Sequence, residues 1–197
     1  FTSVWNENED TITANRVNPM GFVEKETTTI IKKEWVIALE KGDTLLAFHI
    51  PSGPGYTPER VKNSMKIAID FYQKYFPELP IKGFWSESWL YDTRLSLILN
   101  ENSNIVQVQR QFYNYPILEG DSMLRYEAFG DWKSDPDHIP LKTSLQKAAA
   151  EYMKSGKRFN TLSMIVIKED VDKIGSMPYI TNEDMEHFKK IVDSHLQ

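Results

Sequence analysis

Residues 45–76 read LLAFHIPSGPGYTPERVKNSMKIAIDFYQKYF, and this stretch decides the fold class. Leu45–Ile50 has the apolar composition of a strand. Pro51-Ser52-Gly53-Pro54-Gly55 is turn chemistry. Thr57 is a good helix N-cap, and Pro58 suits the first helical position. Val61, Met65, Ala68, Tyr72 and Phe76 recur at three-to-four spacing, which gives the helix one apolar face. Ile67, Phe71 and Tyr75 add a second apolar row, which predicts a deeply packed helix. Pro77 and Pro80 end it. A helix that starts behind an open turn presents unpaired backbone N–H groups and the positive end of its dipole, a geometry that accepts anions. The same residues also make a rigid strand-to-helix corner. Pro54 and Pro58 lack N–H donors, and Glu59 places a negative charge in the first turn.

Upstream, residues 16–41 are rich in Val, Thr and Ile and predict strands. Lys41-Gly42-Asp43 is a turn signal that predicts an antiparallel hairpin of Trp35–Glu40 with Thr44–Ile50. Residues 1–11 are polar and predict an irregular entry. Downstream, Ile81–Ser86 predicts a short strand, and Asp92 caps a brief helix through Leu99. Asn104–Phe112 alternates in part and predicts a strand, with Leu124–Phe129 as its partner. Gln109 and Arg110 then lie on that strand, with Glu127 as a cross-strand mate for Arg110. Thr143 with Gln146 forms a capping box for the next helix, which Gly156 stops. Phe159–Ile167 predicts the last strand, and Thr181 with Asp184 opens a terminal helix. Front-loaded antiparallel strands followed by a strand–helix–strand step predict an α+β (mixed α/β) domain. An irregular entry at 1–15 would precede one domain over 16–180, with the helix of 181–197 packed on it. No GxGxxG is present, which argues against a dinucleotide fold.

The chain has 197 residues, 41% of them hydrophobic, and a net charge of −5. That size suits one globular domain. The acidic balance and the lack of a basic stripe argue against nucleic acid as a partner. The chain has no cysteine, so it has no disulfides, thiolate metal sites or cysteine nucleophiles. The histidines lack ligand spacing, so no metal site is expected. No apolar run reaches the roughly 20 residues of a membrane span. No signal peptide is visible, and cytoplasmic localisation is the expectation. The chain opens on Phe1 rather than Met, as a fragment of a longer protein would.

Several short motifs occur together in a fixed order. They are His49-Ile50-Pro51-Ser52-Gly53, Tyr75-Phe76-Pro77-Glu78, Ser88-Trp89-Leu90-Tyr91-Asp92, Ser103-Asn104-Ile105-Val106, Gln109-Arg110-Gln111-Phe112, Phe129-Gly130 and Thr143-Ser144-Leu145-Gln146. In this order and spacing they resemble the GNAT-like acyltransferase C-terminal domain over roughly residues 35–168. The resemblance implies a central, mostly antiparallel twisted sheet flanked by helices. It implies acetyl-CoA or another acyl-CoA as cosubstrate and a small-molecule amine or peptide as acceptor. It also implies a smaller helical domain upstream. An alternative is a catalytically inactive module of the same fold that binds a ligand or partner.

Under the resemblance the opening stretch becomes the cofactor-side strand, turn and helix. Ile50, Ser52, Gly53, Gly55 and Arg60 would bind the cofactor, although the turn departs from the usual Gln/Arg-x-x-Gly-x-Gly/Ala signature of the fold. The strand of Ile81–Ser86 would splay from its neighbour to admit the pantetheine arm. Three residues are candidates for catalysis. His49 and Glu87 could take a proton from the amine, and Tyr91 could supply one to the leaving thiolate. Each has a plain structural alternative: a packed, hydrogen-bonded histidine at 49, and around Glu87 and Tyr91 a segment in which Trp89 and Leu90 fill the core, Asp92 caps a helix and Ser88 bonds the backbone.

Overall fold

The computed structural model describes residues 2–51, 53, 55–131, 137–138 and 141–194. Among the described residues, seven strands form two sheets. The first is an antiparallel meander of β1 (Trp5–Glu7), β2 (Thr11–Val17) and β3 (Val23–Ile31). The entry predicted to be irregular therefore contains a paired strand. Val4 N–H donates to Asn15 Oδ1, and Asn8 Oδ1 accepts from the N–H groups of Asp10 and Thr11, so polar side chains hold this end.

The second sheet contains β4 (Thr44–Ala47), β5 (Ile81–Ser88), β6 (Tyr113–Pro116) and β7 (Leu162–Ile167), in the order β4-β5-β7-β6. The β4–β5 pair is parallel, and the other two pairs are antiparallel. This corrects the expected hairpin: β4 pairs with β5, and residues 35–40 form no strand. The Gly42 turn is present, but the buried face of β5 won the pairing. Gly83 lets β5 approach β7 closely, since a Cβ there would collide with the Val166 carbonyl.

Helix α1 (Pro58–Tyr75) crosses from β4 to β5. Thr57 caps it, accepting a 3.3 Å hydrogen bond from Arg60 N–H. Val61 and Met65 pack with Phe84, Met164 and Val166 on one side of the sheet. The second apolar row, Ile67, Phe71 and Tyr75, faces solvent, so the expected deep packing of α1 does not occur. In a second cluster, α4 (Ser144–Lys154) supplies Ala149, Ala150 and Tyr152 against Trp89, Leu124 and Phe159. The expected capping box of Thr143 and Gln146 opens α4.

Two predicted strands are helical. Asn104–Gln109 forms α2, capped by Ser103, whose Oγ accepts from Val106 N–H. Ser122–Leu124 forms the short α3, which runs directly into a π-helical turn at Arg125–Phe129. The cross-strand pair of Arg110 with Glu127 does not form. Arg110 instead donates to the Ile180 carbonyl (2.9 Å) and Asn182 Oδ1 (2.7 Å). Gln109 donates to the carbonyls of Leu90 and Asp92. Helix α5 (Asn182–Ser194) opens with the expected Thr181–Asp184 exchange, and its Phe188 stacks on Phe22. Among the described residues, no helix is long and apolar enough to cross a membrane.

Candidate active site

Strands β4 and β5 pair from Thr44↔Ile81 to Ala47↔Trp85, with a register shift between Thr44 and Leu45. One further rung follows, from Phe48 N–H to the Trp85 carbonyl at 2.8 Å. Beyond it, among the described residues, no backbone hydrogen bond joins the two segments. A cleft of 590 Å³ opens there. Phe48, His49, Ile50 and Pro51 line one wall, and Ser86–Leu90 the other. Ile105 of α2, Met123 of α3, Glu127 of the π-helical turn and Leu145 of α4 close the far side.

The expected site residues distribute unevenly around this cleft. His49, Ile50, Gly53 and Glu87 line it. Side chains alternate across a strand, so Glu87 shares a face with Trp85, away from α1. It stands opposite Ser163 of β7, whose hydroxyl donates to Glu87 Oε1 at 3.2 Å. His49 is exposed on the facing wall. Ser52 lies outside the described residues.

Tyr91 belongs to the buried core on the α1 side, edge-on to Phe112 at 5.9 Å, and is not part of the cleft lining. Its hydroxyl has no hydrogen-bond partner, and neither has that of Tyr56. Burial pushes Tyr91 up to about 12, against the lowering pull of the nearby Ser86 and Tyr56 hydroxyls. Burial, together with Tyr91, likewise raises Tyr56 well above the usual phenol range. Both phenols are therefore neutral near pH 7. Tyr56 lines the cleft, and its buried hydroxyl is a neighbour of the Tyr91 hydroxyl.

Of residues 52–55 in the turn between β4 and α1, the structure describes Gly53 and Gly55. Gly53 adopts φ +122°, a conformation that favours glycine, and the space where a side chain would sit is empty. Arg60 lies over Gly55, and a Cβ at Gly55 would stand 2.9 Å from its Nη1. Two of the helix-terminal donors are already used, since Arg60 N–H serves Thr57 Oγ1 and Thr57 N–H serves the Gly55 carbonyl.

Sequence reasoning missed Tyr56 and Glu127. Tyr56 sits directly before the Thr57 cap, where the turn delivers it to the cleft. Glu127 reaches the cleft because residues 125–129 are a π-helix, a rare form with no clear local sequence signal.

Residues 9–165 match the GNAT-like C-terminal domain family. The chain belongs to that family. No curated protein matches it significantly. Among solved structures, it is similar to an acyltransferase in complex with decanoyl-CoA (TM-score 0.58, 20% identity, covering 83% of this chain and 46% of that one). It is also similar to an acyltransferase in complex with decanoyl-CoA and teicoplanin (TM-score 0.58, 22% identity, 80% and 45%). A third likeness is to an acyltransferase in complex with CoA and 10C-teicoplanin (TM-score 0.53, 21% identity, 80% and 45%). At these identities the likeness is one of fold. This GNAT-like domain spans less than half the length of those acyltransferases.

Proposed function

We propose that this GNAT-like domain transfers an acyl group from acyl-CoA to an amine. The observation that carries this reading is the opening between the parallel strands β4 and β5, which starts at the last rung from Phe48 to Trp85. Among the described residues, no backbone hydrogen bond ties His49 or Ile50 to β5, so an extended pantetheine arm can lie along that wall. Bound acyl-CoA supplies an activated thioester carbonyl. Gly53 and Gly55 permit close backbone approach to its pyrophosphate, Ser52 adds a hydroxyl, and Arg60 adds the positive charge.

Among the described residues, the cleft lining contains two carboxylates, Glu87 and Glu127, and no Lys or Arg. That charge balance favours a cationic amine as acceptor. Glu87 takes the proton from the ammonium, with Ser163 fixing its carboxylate. His49, on the facing wall, is the second candidate for that role. Tyr91 is not part of the cleft lining, and its buried hydroxyl makes no hydrogen bond that would link it to Tyr56. A phenol near pKa 12 is a poor proton source at neutral pH. Trp89, Leu90, Ile105, Met123 and Leu145 offer an apolar path for an acyl chain longer than acetyl. The decanoyl-CoA held by the similar acyltransferases supports the same choice.

A second reading, a ligand-binding module without transferase activity, is favoured by the used helix-terminal donors and by Glu59 in the first turn of α1. The test is a melting series with CoA and decanoyl-CoA, followed by acyl transfer to a panel of amines. Ligand at 100 times its Kd adds about 2.7 kcal/mol of stability. Glu87→Gln should lower kcat/KM roughly 100-fold with the CoA-induced shift unchanged. An absent shift at roughly millimolar CoA overturns the reading, and a shift without transfer to any amine favours the module.

A further inference from the structure

The solvent face of α1 carries an apolar stripe of Ile67, Phe71 and Tyr75 at successive i, i+4 positions, exposed by 70%, 48% and 57%. The Phe71 ring lies 4.9 Å from Tyr75 and 6.0 Å from Phe76, and Phe76 and Leu79 extend the exposed surface past the helix end. Single apolar residues scatter over any protein surface, but a contiguous aromatic stripe marks a contact face.

The charges beside the stripe say what fits it. On a helix of 3.6 residues per turn, Asp70 and Lys74 follow one edge, and Ser64 and Ala68 follow the other. Lys74 Nζ lies 5.0 Å from the centre of the Tyr75 ring, which keeps its charge beside the stripe. When two such helices pack antiparallel about a two-fold axis, like edges meet. Asp70 of each copy then faces Lys74 of the other, Phe71 sits near the axis, and Ile67 meets Tyr75. A parallel arrangement would set the charged edge against the uncharged Ser64–Ala68 edge. We propose that α1 is a homodimer face and that its occupant is the α1 of a second copy of this chain, packed antiparallel. The contact is isologous, so it closes on itself and stops at a dimer.

Sedimentation equilibrium of the 197-residue chain tests this. The wild type should sediment as a dimer. Phe71→Glu puts two carboxylates together near the axis and should yield a monomer with unchanged circular dichroism. Asp70→Lys should weaken association roughly tenfold or more by setting lysines face to face. Adding Lys74→Asp to it swaps both members of each pair and should restore the dimer, an outcome that a foreign partner or a merely sticky patch would not produce. A wild type that stays monomeric at about 100 μM overturns the proposal, and so does a charge swap that fails to restore the dimer.

Discussion

Tyr91 shows how one residue can match a functional expectation by type and depart from it by position. A tyrosine at the start of the segment after β5 suits a proton donor, but the chain folds it into the core beside Phe112 with its hydroxyl unpartnered. The consequence is measurable in alkali. Tyr91 titrates at about 12 when folded, against 10.0 for an ordinary phenol. Between those values the unfolded chain has lost the proton and the folded chain has kept it. The unfolded state binds fewer protons there, so stability falls as pH rises through the window. The full loss from this group is roughly 2–3 kcal/mol at 1.36 kcal/mol per unit. Urea unfolding across pH 8–12 should show a shallower alkaline decline for Tyr91→Phe than for the wild type. At pH 7 the variant should be at least as stable, because it removes a buried hydroxyl that bonds to nothing. Equal alkaline slopes in the two proteins would sink this account. Of the expected site residues, His49 and Glu87 were legible because each stands at or beside a strand end, where side chains meet a cleft. Tyr56 and Glu127 were not, because the β4–α1 turn and the π-helical turn that direct them are set by tertiary packing.

The elements that read correctly are those specified by local hydrogen bonds. Thr57 before Pro58, Thr143 with Gln146, and Thr181 with Asp184 each satisfy helix-terminal N–H groups within one turn, so sequence suffices. Asp92 belongs to this class but also reaches further. It caps the 3₁₀ turn Thr93–Leu97, pairs with the Arg94 guanidinium at 2.9 Å, and accepts Asn160 N–H at 2.7 Å. Burial raises its carboxyl above the usual range, while Arg94 and the N–H groups oppose that shift. Asp92→Ala would leave the N–H groups of Arg94 and Asn160 without their acceptor and remove the buried partner of the Arg94 guanidinium, which keeps its bond to the Arg158 carbonyl. The expected cost is roughly 3–5 kcal/mol, read as a lowered urea midpoint with an unchanged slope. A loss under about 1 kcal/mol would show that the linkage from Asp92 to the segment before β7 carries little. The misread elements fail for the opposite reason. Ile105, Val106 and Val108 suit a strand by composition, but Ser103 caps a helix and both valines are buried. For 124–129, the apolar residues Leu124 and Phe129 are buried five apart, a spacing that the π-helical turn brings to one side.

At the scale of the molecule, the sequence announced an α+β fold but not which strands would pair. Thr44–Ala47 is as able to form a hairpin with residues 35–40 as a parallel pair with β5. The choice rests on contacts distant in sequence, including those of Phe84 and Val166 in the core behind β5. The meander β1–β3 is a separate sheet, tied to the rest through its β2–β3 turn. Met20 there packs with Val106, Ile180 and Met185, its carbonyl accepts from Thr93 Oγ1 at 2.6 Å, and Phe22 stacks on Phe188 of α5 at 5.3 Å. A double-mutant cycle of Phe22→Ala and Phe188→Ala should therefore give a coupling of about 0.5–1.5 kcal/mol in global stability. Strict additivity would mean that α5 and the meander are held independently.

The parting of β4 from β5 has a consequence for how such a domain can diversify. On the proposed reading, a ligand lying along His49 and Ile50 meets peptide N–H and carbonyl groups, which are the same whatever side chains are attached, up to Pro51, which has no N–H. Only a proline, or a shift of the strand itself, can erase such a wall. The facing surface of Glu87, Trp89, Met123, Glu127 and Leu145 is all side chain and can be rewritten one codon at a time. Under the proposed function, the architecture separates a backbone wall for the cofactor from a side-chain surface that substitution can change without altering the first.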